Sequence, residues 1–214
     1  MSRGGAERVL PDWWGPPDGW VGGQLPFDLV VARSDAGAVI AEDIAVYPTG
    51  IGFELRALLR PAPISVPEQT IEMETPPSEP VEALVSSVVL VDEPAEFERT
   101  ETPVDRVRFG VEFEDGRRAV QNAPVGGPGD FTILGFQEGK PVLPDPATNV
   151  VLNWTSGSSS PDSMRKSSFI WPLPVGDLRF IGSWVDAGLA EQIVVLDHAA
   201  IEEALGRARP AWRD

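Results

Sequence analysis

Residues 168–197 read SFIWPLPVGDLRFIGSWVDAGLAEQIVVLD, the densest apolar and aromatic stretch in a chain of 214 residues. Phe169, Ile170 and Trp171 run into the turn residues Pro172, Pro174, Gly176 and Asp177, and the runs LRFIGSWV and EQIVVLD follow. Short runs rich in Val, Ile, Phe and Trp, bounded by turn residues, are read as β-strands. In the middle run Leu178, Phe180 and Trp184 share one face, while Ile181 and Val185 occupy the other. Apolar residues on both faces describe a central strand that is covered twice. The covering element is expected to be the one helical pattern of the chain, residues 198–209. Asp197 suits its N-cap, Glu202 and Glu203 lie early, and Arg207 and Arg209 lie late. Ile201, Ala204, Leu205 and Ala208 form its apolar stripe, Pro210 stops it, and Trp212 is expected to pin the terminus.

Working outward, the same period of two recurs. In Val104–Glu114, Val107, Phe109, Val111 and Phe113 alternate with Arg106, Arg108, Glu112 and Glu114. Asp115-Gly116 then supplies the positive-φ pair of a tight hairpin, with Arg117–Gln121 as the returning strand. Phe27–Arg33 and Val39–Tyr47 are further strands joined by a turn at Ser34–Gly37. Pro48-Thr49-Gly50 leads into Ile51–Arg60, where Phe53, Leu55 and Ala57 oppose Glu54 and Arg56. The last two are expected to be a solvated strand pair. Val81–Asp92, Phe131–Gln137 and Asn149–Trp154 complete the strand list. Phe53, Leu55, Phe109, Val111, Phe113, Trp171, Phe180 and Trp184 are the expected core.

Between these runs lie segments of a different texture. Residues 61–80 are acidic and Pro-rich and read as a long loop. Residues 156–168 hold seven serines among thirteen residues and only Met164 as an apolar anchor, which reads as a mobile loop. Residues 122–130 contain GGPG without the Lys-Ser/Thr that a phosphate loop needs.

Gly and Pro, 21 and 22 residues, suit many short strands joined by turns, and 42% hydrophobic residues suffice for a core. The formal net charge is −16, with 17 basic and 33 acidic residues, which argues against nucleic acid or an anionic membrane surface as partner. From Pro61 to Asp115 there are fourteen acidic and three basic residues, dispersed without the alternating oxygen ligands of a calcium loop, so a solvated acidic face is expected. The chain has no Cys, which removes disulfides and thiolate zinc sites. The opening residues lack the apolar segment of a signal peptide and no run of about eighteen apolar residues occurs, so a cytoplasmic location is the expectation.

No catalytic constellation emerges. His198, the single histidine, would have to serve any Ser-His-Asp or His-ligated metal arrangement, and its place at a helix start is the plainer account. Nothing selects a carboxylate pair for glycoside hydrolysis. No catalytic residue, metal or cofactor is therefore assigned. The chemistry-bearing feature that remains is aromatic. Residues 1–26 form an arm with Trp13, Trp14 and Trp20 among Pro and Gly, a composition that excludes a helix. These rings, with Trp154, are candidate binding residues, able to stack on a sugar or dock on a protein. Exposed Trp clusters promote aggregation, so the arm is expected to fold back and seal a sheet edge.

Three segments, AVYPTGIGFELRALLR (Ala45–Arg60), VRFGVEFEDGRRA (Val107–Ala119) and FIWPLPVGDLRFIGSWVDAGL (Phe169–Leu189), together resemble an uncharacterised bacterial protein family. The resemblance spans most of the chain from Phe27 onward and implies one domain, residues 27–214, behind the arm. No activity is assigned to that family, so no site residue is implied by it.

These readings converge on a mainly β chain: a single β-sandwich or jelly-roll-like domain of about nine or ten strands with one C-terminal helix. The expected function is non-enzymatic, a structural or interaction domain whose partner is another protein or a second copy. The alternative is a carbohydrate-binding module or, further off, a carboxylate-dependent glycoside hydrolase.

Overall fold

The period-two alternation builds what it promises. The computed structural model describes residues 11–61, 102–121, 136–137, 140–141 and 144–212, and these are mainly β. In order they form β1 (Trp20–Val21), β2 (Gly23–Gln24), β3 (Leu29–Arg33), β4 (Gly37–Tyr47), β5 (Gly50–Leu59), β6 (Arg108–Phe113), β7 (Arg118–Gln121), β8 (Phe136–Gln137) and β9 (Lys140–Pro141). Then come β10 (Val151–Ser159), β11 (Ser163–Trp171), β12 (Leu178–Trp184), β13 (Leu189–Leu196), the helix α1 (His198–Leu205) and β14 (Arg209–Pro210). Residues up to Arg60 and from Thr102 onward belong to one unit. Pro61–Glu101 is a second unit, and beyond Pro61 it lies outside the described residues, as do the proposed loop 61–80, the strand at Val81–Asp92 and the loop at 122–130.

Two antiparallel sheets carry the core. The larger has the order β10-β11-β5-β4, with β2 and β3 pairing successive halves of the far side of β4. The smaller has the order β13-β12-β6-β7. Phe53 from β5 meets Phe180 of β12 edge-on at 5.5 Å and Phe109 of β6 at 5.7 Å, so both sheets contribute rings to one cluster. All eight expected core residues are buried. Trp184 is fully buried, and its indole N–H donates to the Pro103 carbonyl at 2.9 Å, which removes the cost of burying that polar group. Asp43, at φ 53°, bulges β4 between Glu42 and Ala45, so that Ile44 and Val46 return to the core side after Val39 and Ala41.

The Ser-rich segment is not a loop. It is most of the β10–β11 hairpin, with β11 paired to β5 from Ser163–Leu58 to Ile170–Ile51. On the outer face Arg165 reaches Glu42 at 2.7 Å and Glu54 at 3.2 Å, while Arg56 reaches Glu42 at 3.7 Å. Glu42 and Glu54 lie directly opposite each other, and the arginines offset that repulsion. Glu54 and Arg56 thus belong to a three-strand ionic ladder and are not partners of each other.

The helix starts where its N-cap requires: Asp197 Oδ1 accepts the Ala199 N–H at 3.0 Å. It ends at Leu205, short of Arg209, because Arg209 and Pro210 leave to pair with Val21 and Trp20. Its buried Ile201 and Ala204 pack over β2 and β4, at the edge of the larger sheet. Gly23 makes this approach possible, since a Cβ there would overlap the Ala204 carbonyl. The expected cover for the outer face of β12 is therefore placed elsewhere. Trp212 does not pin the terminus; it is 81% exposed. Among the described residues no helix is long and apolar enough to cross a membrane.

Candidate functional site

Alternation on the smaller sheet leaves three cross-strand rows on its outer face. In the middle row Ile193, Ile181, Gly110 and Val120 stand opposite one another from β13 to β7. To one side the row is Val195, Arg179, Glu112 and Arg118, and to the other Ser183 pairs with Arg108, with Glu191 beyond on β13. Val120, Ile193 and Val195 are 62%, 57% and 48% exposed. Between exposed Val120 and Ile193 the row holds the half-buried Ile181 and the buried Gly110.

Gly110 shapes this surface. With no side chain between Ile181 and Val120, the sheet is dented along β6, giving a groove of about 520 Å³. Ile181 and Val120 form its walls, and charged residues close its ends. At one end Glu112, itself buried, accepts a hydrogen bond from Arg179 Nη1 at 2.6 Å and is paired with Arg118 Nε. The Arg179 hydrogen bond, with the Arg118 guanidinium beside it, holds the Glu112 carboxyl below the usual carboxylate range. At the other end Arg108 is exposed, and its guanidinium has no ion-pair partner among the described residues. Three guanidiniums and two carboxylates, Glu112 and Glu191, thus line the groove in a chain whose net charge is −16.

The four tryptophans singled out from the sequence occupy different surroundings. Trp13 packs edge-on against Trp171 at 6.0 Å, in a small cluster with Val151, Phe169 and Tyr47 on the outer face of the larger sheet. The Trp14 carbonyl accepts a hydrogen bond from Asn153 Nδ2 at 2.6 Å. Trp20 sits in the β1–β14 pair and is 38% exposed. Trp154 is opposite Ser168 on the core side, with Lys166 Nζ 3.4 Å from its ring centroid. The arm from Pro11 to Gly22 thus lies over one end of a sheet face. His198 is half-buried at the helix start, where its backbone N–H donates to Asp177 Oδ1 at 2.9 Å. Among the described residues no three Asp, Glu or His side chains converge as metal ligands.

The groove went unassigned in the sequence because Ile181, with Val185, read as a covered second face. The available signal was Gly110, the one break in an outward row of charged residues on β6. Comparison with protein-family models, curated proteins and solved structures finds no match to this chain.

Proposed function

We propose that this chain is a non-enzymatic interaction domain that docks another protein on the outer face of its smaller sheet. The two core sheets are read as an open β-sandwich, which the Phe53, Phe109 and Phe180 cluster between them supports. A sandwich with both inner faces filled has no structural need for aliphatics outside. The observation that carries the reading is the row of exposed Ile193, half-buried Ile181 and exposed Val120, dented at Gly110 and bordered by arginines. The buried centre of a protein interface is more apolar than the surface around it and Arg is enriched there, so a dry patch can supply area and Arg direction.

The test places a photo-crosslinking amino acid at Val120 or, as the control, at Arg56 on the other sheet. Irradiation in the native cell is expected to give a defined adduct from position 120 only, lost when Ile193→Glu is added. Adducts of equal yield from both positions, or none from position 120, would overturn the assignment.

A further inference from the structure

We infer that the segment seated in this groove is an acidic amphipathic helix of the partner protein, carrying one large aliphatic residue with a carboxylate four positions to either side. This deepens, and rests on, the docking reading above. The groove runs along β6, from Arg108 past Gly110 to the Glu112 row. Gly110 is two residues from each end, about 6.8 Å at strand rise. A helix lying along β6 advances about 6 Å in four residues. An aliphatic side chain lowered onto Gly110, between Ile181 and Val120, therefore brings its i−4 and i+4 neighbours over the two charged ends.

Charge selects the sign of those neighbours. Glu112 is already satisfied by Arg179 and Arg118, which leaves a net positive end there, and Arg108 is unpaired among the described residues. Carboxylates fit both places, at the Arg108 end on the β7 side away from Glu191, whereas Lys over either guanidinium would be repelled. The backbone decides helix over strand. A strand laid on a sheet face finds no ladder partner below it, so its N–H and C=O groups facing the groove would go unmet. A helix brings its hydrogen bonds with it, and helix on sheet is an ordinary layer pairing. A second copy fits poorly, because it would set Arg108, Arg118 and Arg179 against a face carrying the same charges, within two chains of net charge −16 each.

The experiment uses the full chain and synthetic peptides of about twenty residues, long enough to be helical in isolation. One peptide carries Glu, Leu and Glu at i−4, i and i+4 on an Ala/Gln background; the others replace both Glu by Lys, or Leu by Ala. Backbone amide shifts are followed by NMR to about 1 mM peptide. The acidic peptide is expected to shift Gly110, Val120, Ile181 and Ile193, with the Lys and Ala peptides weaker by at least about tenfold. Arg108→Glu should reduce the acidic peptide's affinity by a similar factor, and added salt should reduce it further. Gly110→Leu should block binding. Its Cβ would lie 3.0 Å from the Ala119 carbonyl oxygen, close enough to disturb the strand, so Val120→Glu, at an exposed position, is the companion variant.

Equal binding of the Glu and Lys peptides would overturn the inference, as would shifts centred elsewhere. Octanoate producing the same shifts at equal affinity would make the groove a small-molecule site and overturn it too. Concentration-dependent self-association abolished by Val120→Glu would assign the face to a second copy instead. If no peptide binds while the adduct from position 120 persists, docking stands and the acidic helix falls. If both are absent, both readings fall.

Discussion

Whether the two sheets share one core can be read from a pair of rings. Phe53 of the larger sheet and Phe180 of the smaller meet edge-on at 5.5 Å, and both are buried, Phe180 completely. Phe53→Leu and Phe180→Leu each remove a ring while leaving a branched aliphatic that fits the same strand. Each is expected to cost about 1–2 kcal/mol, roughly two methylenes of burial at about 0.8 kcal/mol each, with some relaxation. The decisive quantity is the coupling. An edge-on aromatic pair contributes about 0.5–1.5 kcal/mol beyond its buried area, and either single substitution already removes it. The double variant should therefore be less destabilised than the sum of the singles by about that amount. Phe109 lies 5.7 Å from Phe53 and 5.9 Å from Phe180; each of these contacts is lost with one substitution in both backgrounds, so they largely cancel in the cycle. Equilibrium urea unfolding followed by the fluorescence of the seven tryptophans, Trp184 among them fully buried, supplies the four free energies. Additivity within about 0.3 kcal/mol would mean that the rings do not meet and that the facing of the sheets is misassigned.

Two further outcomes follow from particular contacts. Gly23→Ala drives a Cβ into the Ala204 carbonyl and should cost at least the upper part of the about 1–3 kcal/mol typical of overpacking, whereas Gly15→Ala, whose Cβ meets only Thr155 at 3.7 Å, should stay within about 0.5 kcal/mol in the same urea assay; equal effects would remove the helix from β2. Glu112 has a folded-state pKa below its unfolded value, so its contribution is present above the ordinary Glu value of about 4.3 and is lost as pH falls through the lower folded value. The stability gap between the native chain and Glu112→Gln should hold from pH 7 to about 5 and close below about 4, and a gap of the same size at pH 3 would refute the assignment.

Most of the fold was legible where apolar and charged residues alternate strictly. Phe53 to Ala57 and Phe109 to Phe113 announce both their state and their buried face, and Asp197 announces where a helix begins. The β10–β11 hairpin was hidden because Ser has little strand preference and the inward positions of β11 are Met164, Lys166, Ser168 and Ile170, two of them polar. What holds that register is non-local: Arg165 on β11 reaches Glu42, 123 residues away. The early end of α1 has the same origin, since Arg209 and Pro210 are taken by Trp20 and Val21 from the other end of the chain. Residue-by-residue preference carries no term for such pairings. The groove was illegible for a different reason: sequence shows that a position is apolar, not whether anything covers it, and the helix expected there packs on β2 and β4 instead, where Gly23 admits it.

That displacement bears on why an acidic chain keeps a cationic face. A net charge of −16 favours solubility and opposes self-association of the chain. An aliphatic row that the described residues leave partly exposed works against both, and neutral borders would leave it open to any apolar surface. Arg108, Arg118 and Arg179 change that balance. A partner without negative charge must desolvate three guanidiniums for a modest apolar gain, and a cationic one is repelled directly. Only a segment that brings carboxylates at the right spacing recovers the charge interactions as it buries the row. Glu112 serves the same end by holding Arg118 and Arg179 in fixed positions, so that direction is set before a partner arrives and less side-chain freedom is lost on docking. In the proposed complex, discrimination would thus come from the arginines of this face, and affinity from Ile181, Val120 and the missing side chain at Gly110.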